Sequence, residues 1–144
     1  PSAIKTIKNK ITQKRFYEEH AIPSPNFKIT FTKADLQNHL DFLPAVHKIA
    51  EGGYDGKGVQ VLNTENDFTT AFDEPSVLEK KVIIKKEIAM IVAMNDKGET
   101  AIYPPTEMIA NPVLNLLDYQ LSPALLPDEV FWKTEAIALS VVKK

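Results

Sequence analysis

The residues best suited to chemistry in this chain fall in one run, Glu51-Gly52-Gly53-Tyr54-Asp55-Gly56-Lys57-Gly58. It combines acids, a phenol and a lysine with four of the chain's five glycines. Glycine reaches positive φ and lets backbone N–H groups approach a ligand with no Cβ in the way. A loop of this composition can therefore cradle phosphate oxygens with amide donors. A second reading stands beside it, because Asp55-Gly56 between apolar runs is also the signature of a plain hairpin turn. A two-residue turn needs much less glycine than this. The run is not a Walker A loop, which requires a glycine where Glu51 stands and Ser or Thr where Gly58 stands. It is not a dinucleotide fingerprint either, since no helical pattern follows it.

The elements that must hold this loop are readable on both sides. Ala45-Val46-His47-Lys48-Ile49 enters it and Val59-Gln60-Val61-Leu62 leaves it, both strand-like, so the expectation is a phosphate-cradling loop between antiparallel strands. Upstream, residues 2 to 20 predict one helix capped by Ser2, with Ile4, Ile7 and Ile11 at helical spacing. Lys10 and Lys14 lie four apart on one face of it, a pattern that an ordinary solvated face also produces. Ile22-Pro23-Ser24-Pro25 ends the helix. A strand over 26–30 follows, then a helix from Lys33 to Asp41 with Thr32 as cap and Asp35 as capping-box acid. Thr64 caps a further short helix, Glu65 to Phe72, before a strand at Val77-Leu78-Glu79-Lys80. Two long strands, Lys86 to Met94 and Glu99 to Pro104, are joined by the hairpin Asn95-Asp96-Lys97-Gly98. Residues 110 to 126 read as an irregular loop. Asp128 opens a final helix with Val130, Ala136, Ile137, Leu139 and Val141 toward its buried face. Phe16, Phe27, Phe31, Phe42 and Trp132 are expected in the core. His20, His39 and His47 lack metal-ligand spacing and read as structural or surface residues. No internal repeat is legible. Antiparallel hairpins among helices make the fold class α+β.

Composition sets the outer limits. A chain of 144 residues with 44% hydrophobic and 25% charged residues and net charge −2 is an ordinary globular balance. It gives no electrostatic case for nucleic acid or an anionic membrane. There is no cysteine, which excludes disulfides and thiolate metal sites and suits a reducing cytoplasm. No apolar run is long enough to span a bilayer. The start lacks an initiator methionine and the end stops in helical pattern, which reads as a fragment.

On these residues the chain resembles a known family. Lys48-Ile49-Ala50-Glu51-Gly52-Gly53-Tyr54-Asp55-Gly56-Lys57-Gly58 resembles the glycine-rich loop of the 5-(carboxyamino)imidazole ribonucleotide synthetases, ATP-grasp enzymes of purine biosynthesis. Asn9-Lys10, Gln13-Lys14-Arg15-Phe16 and Ile22-Pro23-Ser24-Pro25 are similar to that family's helix and proline turn. Glu79-Lys80-Lys81-Val82 stands at its adenine-holding hinge, Glu87 at its ribose-binding acid, and Tyr103-Pro104 at a strand end.

The resemblance implies an α+β ATP-grasp nucleotide-binding lobe, an antiparallel sheet with packed helices, plus flanking helices. It implies three stretches: 1–24 as helix and linker, 25–84 as the lobe with the loop at 52–58, and 85–144 as the truncated start of a second subdomain. The implied reaction is ATP-dependent carboxylation of 5-aminoimidazole ribonucleotide by bicarbonate, with ADP and phosphate released; other ATP-grasp ligases and a non-catalytic nucleotide-binding module are the alternatives. The implied ATP-binding residues are Lys10, Lys48, Gly53, Tyr54, Asp55, Gly56, Lys57, Gly58, Glu79, Lys80, Lys81, Val82 and Glu87. Tyr54, Asp55 and Lys57 would face the second substrate. The magnesium ligands would lie downstream of residue 144, with none in the fragment, and the fragment alone would be inactive. The full-length family member would be a cytoplasmic homodimer. Two departures stand out: Lys80 replaces the family's usual hinge glutamine, and Ala110 falls where some members carry a histidine.

Overall fold

The computed structural model describes residues 2–53, 57–111 and 116–144. It divides into two units, Pro1–Ile83 and Ile84–Lys144, and each is taken by itself.

The first unit opens with two helices where the periodicity predicts one: α1 (Ser2–Lys8) and α2 (Lys10–Glu19). The break is at Asn9, whose backbone is extended (φ −116°, ψ 118°) and whose Oδ1 accepts hydrogen bonds from the N–H groups of Ile11 and Thr12 at 2.9 and 3.1 Å. Asparagine is among the strongest N-caps, and here its capping geometry overrides the continuous isoleucine stripe.

Four strands follow: β1 (Phe27–Thr30), β2 (Ala45–Ile49), β3 (Val59–Leu62) and β4 (Ser76–Lys80). They pair antiparallel in the order β1-β4-β2-β3. Two short helices connect them, η1 (Lys33–Phe42) from β1 to β2 and η2 (Glu65–Thr70) from β3 to β4. Both stand where helices are predicted and are 3₁₀ in form, and η1 is kinked at His39. The chain thus runs strand, helix, strand twice, with β2 and β4 central and β1 and β3 at the edges.

The two passages share one capping device. The Asp35 carboxylate accepts from the N–H groups of Phe31 and Thr32 at 2.7 and 2.9 Å. Asp67 accepts from Asn63 and Thr64 at 2.7 and 3.0 Å. Those N–H bonds hold both carboxyls below the usual carboxylate range, through Phe31 then Thr32 at Asp35 and through Thr64 then Asn63 at Asp67. The next residues, Leu36 and Phe68, are both buried in the same core. So an echo exists where the sequence suggests none; only Thr-x-x-Asp and a following apolar residue carry it, too little for a sequence repeat.

Strand alternation gives the sheet two unlike faces. One carries Ala45, His47, Leu62, Ser76 and Leu78, and Leu36, Phe68 and Ala71 from the helices and the turn after η2 close over it. The other carries Val46, Lys48, Val59, Val61, Val77 and Glu79. Ile11 of α2 packs there on Val77 and Ala50, with Phe27 and Ile29 alongside. The first face is dry; the second holds charge.

His47 sits on the dry face with no exposure. The Gln60 amide nitrogen donates to its Nδ1 at 3.2 Å, and the Phe72 ring lies 5.5 Å away. Its Nε2 is buried and has no partner among the described residues. Burial disfavours the charged imidazolium and pulls the pKa down to about 4.

In the second unit, β5 (Glu87–Ala89), β8 (Thr106–Ala110) and β9 (Leu117–Leu121) form one antiparallel sheet, and β6 (Val92–Met94) pairs with β7 (Thr100–Ile102). The predicted strand Lys86 to Met94 is therefore split between two sheets. The predicted irregular stretch 110–126 contains β9, whose Leu-Asp-Tyr-Gln-Leu alternation is a strand pattern hidden among Asn and Pro. The last helix is α3 (Asp128–Val142). Its expected buried face is not buried: Val130 and Val141 are exposed and Ile137 and Leu139 only partly covered. Trp132 and Phe31, expected in the core, are 63% and 60% exposed. Among the described residues of this unit only Pro105 and Ala124 are buried.

His47 generates a pH dependence. Its folded pKa lies below the unfolded value of about 6.5, so the unfolded chain takes up the proton first as pH falls. The first unit should lose stability from about pH 6.5 down to about pH 4, by roughly 3 kcal/mol in all. In urea unfolding across that window, His47→Leu should remove most of the slope.

Candidate functional site

The glycine run leaves the sheet where β2 ends. Lys48 is still paired with Val59, the Ile49 N–H donates to the Gly58 carbonyl at 3.0 Å, and the strands then part. Ala50 is fixed from both sides: its N–H donates to the Pro75 carbonyl at 2.8 Å and its carbonyl accepts from the Lys10 N–H at 2.9 Å. Asn9 Nδ2 donates to Glu51 Oε1 at 2.8 Å. The residue that caps α2 therefore also holds the loop's first acid. A two-residue hairpin turn is ruled out by this geometry, because the strands separate well before Asp55-Gly56.

Two glycines of the base need positive φ, Gly52 at 79° and Gly58 at 78°. Gly58 also needs space, since a Cβ there would stand 2.5 Å from the Ile49 side chain and 3.1 Å from Gly53 Cα. A Cβ on Gly53 would meet the Lys57 carbonyl at 2.9 Å and lie 3.6 Å from Lys10 Nζ. The loop is narrow at its base, with the Lys10 ammonium beside it. Lys57 is exposed. Tyr54, Asp55 and Gly56 lie outside the described residues.

One turn along α2 from Lys10, about 6 Å by helical rise, Lys14 points at the same sheet face. Its ammonium is bonded to Ser24 Oγ, lies 2.9 Å from Glu79 Oε1, and sits 5.6 Å from the centre of the Phe27 ring. Glu79 Oε2 is 2.7 Å from Lys48 Nζ. Burial alone would raise the Glu79 carboxyl, but the Lys48 and Lys14 ammoniums outweigh it and hold it below its usual value. Burial, then the nearby Glu79 charge, pushes the Tyr17 phenol up.

This corrects the sequence reading at several points. Glu79 stands on an interior strand: β4 is flanked by β1 and β2, and the Glu79 side chain is 13% exposed. Lys14 is not on a solvated face, at 7% exposure. Lys80 is committed to the fold, donating from Nζ to the carbonyls of Phe42 and Leu43 at 3.0 Å each. At the hinge the Lys80 and Lys81 N–H groups are taken up by the carbonyls of Asn26 and Pro44. Val82 follows, 52% exposed. Glu87 opens β5 in the second unit and is exposed, and Ala110 ends β8.

The structure thus brings Lys10, Lys48, Gly53, Gly58 and Glu79 to one face of the first unit. It adds Lys14, Ser24 and Tyr17, which sequence reasoning did not assign. The Lys10–Lys14 spacing carried that signal for Lys14, but its partner lies on a distant strand. A groove of about 350 Å³ lined by Tyr17, Ser24, Asn26, Phe27 and Lys28 includes none of the loop or of Lys14, Lys48 and Glu79. No three His, Asp or Glu side chains converge as a metal site among the described residues. No helix among them is long and apolar enough to cross a membrane.

A glycine loop thus lies between antiparallel strands, with lysines at its base and on the entering strand. The model of the ATP-grasp domain matches residues 15–144. The chain belongs to the ATP-grasp family. Among curated ATP-grasp relatives, the N5-carboxyaminoimidazole ribonucleotide synthase of Bacillus subtilis is 32% identical over 91% of this chain and 37% of that protein. The crystal structure of the corresponding synthetase from Thermotoga maritima superposes with a TM-score of 0.83 at 32% identity, covering 99% of this chain and 36% of that one. A carboxyaminoimidazole ribonucleotide synthase from Aspergillus clavatus, complexed with ATP, gives a TM-score of 0.86 at 27% identity over 99% of this chain and 39% of that one. The chain spans under two fifths of the length of these relatives.

In this ATP-grasp chain the two positive-φ glycines separate strain from crowding. Gly52→Ala meets no atom within 4 Å and should cost about 1 kcal/mol from backbone strain alone. Gly58→Ala adds a clash with Ile49 and should cost about 2–4 kcal/mol. Chemical denaturation of the two variants checks the order; equal costs would show that Ile49 yields.

Proposed function

We propose that the chain is the nucleotide-binding part of an ATP-dependent ligase that carboxylates 5-aminoimidazole ribonucleotide with bicarbonate, giving N5-carboxyaminoimidazole ribonucleotide, ADP and phosphate. The observation that carries this is the glycine loop pinned between β2 and α2, with the Lys10 ammonium against Gly53 and Lys48 on the strand that enters it. The similarity to N5-carboxyaminoimidazole ribonucleotide synthases over nearly the whole chain supports the choice of reaction.

Phosphoryl transfer depends on positioning and charge stabilisation more than on covalent chemistry by the protein. Lys10 and Lys48 act as point charges on the ATP phosphates. Backbone N–H groups from Gly53 to Gly58 cover the terminal phosphates. Val59 and Val61, partly exposed on the face that carries Lys48, give the base an apolar floor. The Glu79–Val82 segment meets the adenine edge through its main chain, and with the Lys80 and Lys81 N–H groups engaged, the donor falls to Val82. Glu87 accepts from the ribose hydroxyls. Tyr54, Asp55 and Lys57 face bicarbonate or the ribonucleotide.

In this reading the magnesium ligands belong to parts of the fold beyond these 144 residues. When bound, the metal neutralises the transferring charge. The first unit serves as the nucleotide lobe and the second as the start of the next subdomain. The complete protein is a cytoplasmic homodimer.

The test has two parts. ATP added to the 144-residue chain should shift the amide signals of Gly53 and Gly58 at millimolar concentration, with no phosphate released. The complete protein should release phosphate from ATP only when bicarbonate and 5-aminoimidazole ribonucleotide are both present. Hydrolysis indifferent to the ribonucleotide would point to another ATP-grasp ligase. Loop signals unmoved by ATP would sink the nucleotide assignment itself.

A further inference from the structure

Glu79 holds two lysines by different oxygens, and the two are not equivalent. Lys14 is bonded to Glu79 Oε1 and Ser24 Oγ, lies over the Phe27 ring, and is 7% exposed. Lys48 meets Glu79 Oε2 and is 28% exposed. A buried carboxylate cannot give up its counter-ion without a large desolvation penalty. If Lys48 were the sole partner of Glu79, moving it to a phosphate would strand that carboxylate in the sheet.

We infer that Lys14 is a positioning residue: it is the permanent counter-ion of Glu79, and by neutralising that carboxylate it leaves Lys48 able to exchange onto the phosphates of a nucleoside triphosphate. This rests on the phosphate role proposed above for Lys48. Lys14 itself, walled in by Ser24, Phe27 and Glu79, does not reach the ligand. Its effect on binding passes through Glu79 to Lys48.

The charge arithmetic separates this role from direct contact. In Lys14→Met, Glu79 retains Lys48 as its only cation, and ATP must compete with a buried ion pair. In Lys14→Met/Glu79→Gln both buried charges are gone, and Lys48 is again available. Removal of Lys48 should abolish the effect of Lys14, because nothing remains to be released.

The experiment is ATP titration of the 144-residue chain by calorimetry, with folding of each variant verified by circular dichroism and urea unfolding. Lys14→Met should weaken ATP binding roughly tenfold or more. The double variant Lys14→Met/Glu79→Gln should recover to within about threefold of the parent, and Lys14→Met should have no further effect in a Lys48→Met background. Unchanged affinity in Lys14→Met, or failure of Glu79→Gln to restore it in a folded double variant, would overturn the inference. A readout without nucleotide stands apart from the functional proposal. In ¹⁵N-lysine spectra the Lys48 ammonium should become more restricted and exchange more slowly in Lys14→Met than in the parent. If the parent does not bind ATP, the functional proposal fails and this signal alone decides; an unchanged Lys48 ammonium then overturns the inference as well.

Discussion

A carboxylate buried in the middle of an antiparallel sheet is a constraint that everything near it must satisfy. Glu79 sits on β4 between β1 and β2, and it is tolerated because Lys14 and Lys48 reach it from a helix and from the neighbouring strand. That requirement fixes more than charge. It sets the rotation of α2 about its own axis, since Lys14 must face the sheet, and the helical repeat then delivers Lys10 to the glycine loop. It also fixes which face of β2 carries Lys48. Replacing a buried ion pair by apolar residues of similar volume is often neutral or stabilising; what the ionic version secures is the orientation of two cations toward one side.

The opposite face of the same sheet makes that arrangement affordable. There the chain repeats one solution, a strand leading into a capped 3₁₀ helix and back, with Asp35 and Asp67 gathering the loose N–H groups at each entry. Leu36 and Phe68 then fill a common core. Because this layer is closed and apolar, the other face is left for polar work. Separation of the two roles by strand alternation is the physical basis on which a lobe of this size holds both a core and a binding surface.

Much of this was legible in the residues, for definable reasons. Four clustered glycines can be seen because glycine is otherwise nearly absent. Thr32 with Asp35 marked its helix start because capping chemistry is local. Lys48 was marked only by the family resemblance of the strand before the loop. Other features depend on contacts between distant segments. Lys14 fitted a solvated face equally well because its partner is on β4, and the interior place of Glu79 was hidden because strand order is not written in any single strand. Asn9 was hidden inside a longer isoleucine stripe that favoured one continuous helix. The 3₁₀ character of η1 and η2 reflects how short elements tighten under packing, which composition does not register. For β9 the alternation was present and was outweighed by neighbouring Asn and Pro, while the exposure of Trp132 and Phe31 is a property of what surrounds them.

That only Pro105 and Ala124 are fully buried among the described residues of the second unit has a calorimetric consequence. Heat capacity of unfolding measures apolar surface newly exposed, and surface already wet adds nothing to it. The heat-capacity step of this chain therefore draws more per residue on the first unit, and it should fall below what 144 residues ordinarily give. β5 to β9 and α3 contribute to that step less per residue, because fewer of their apolar side chains are fully covered.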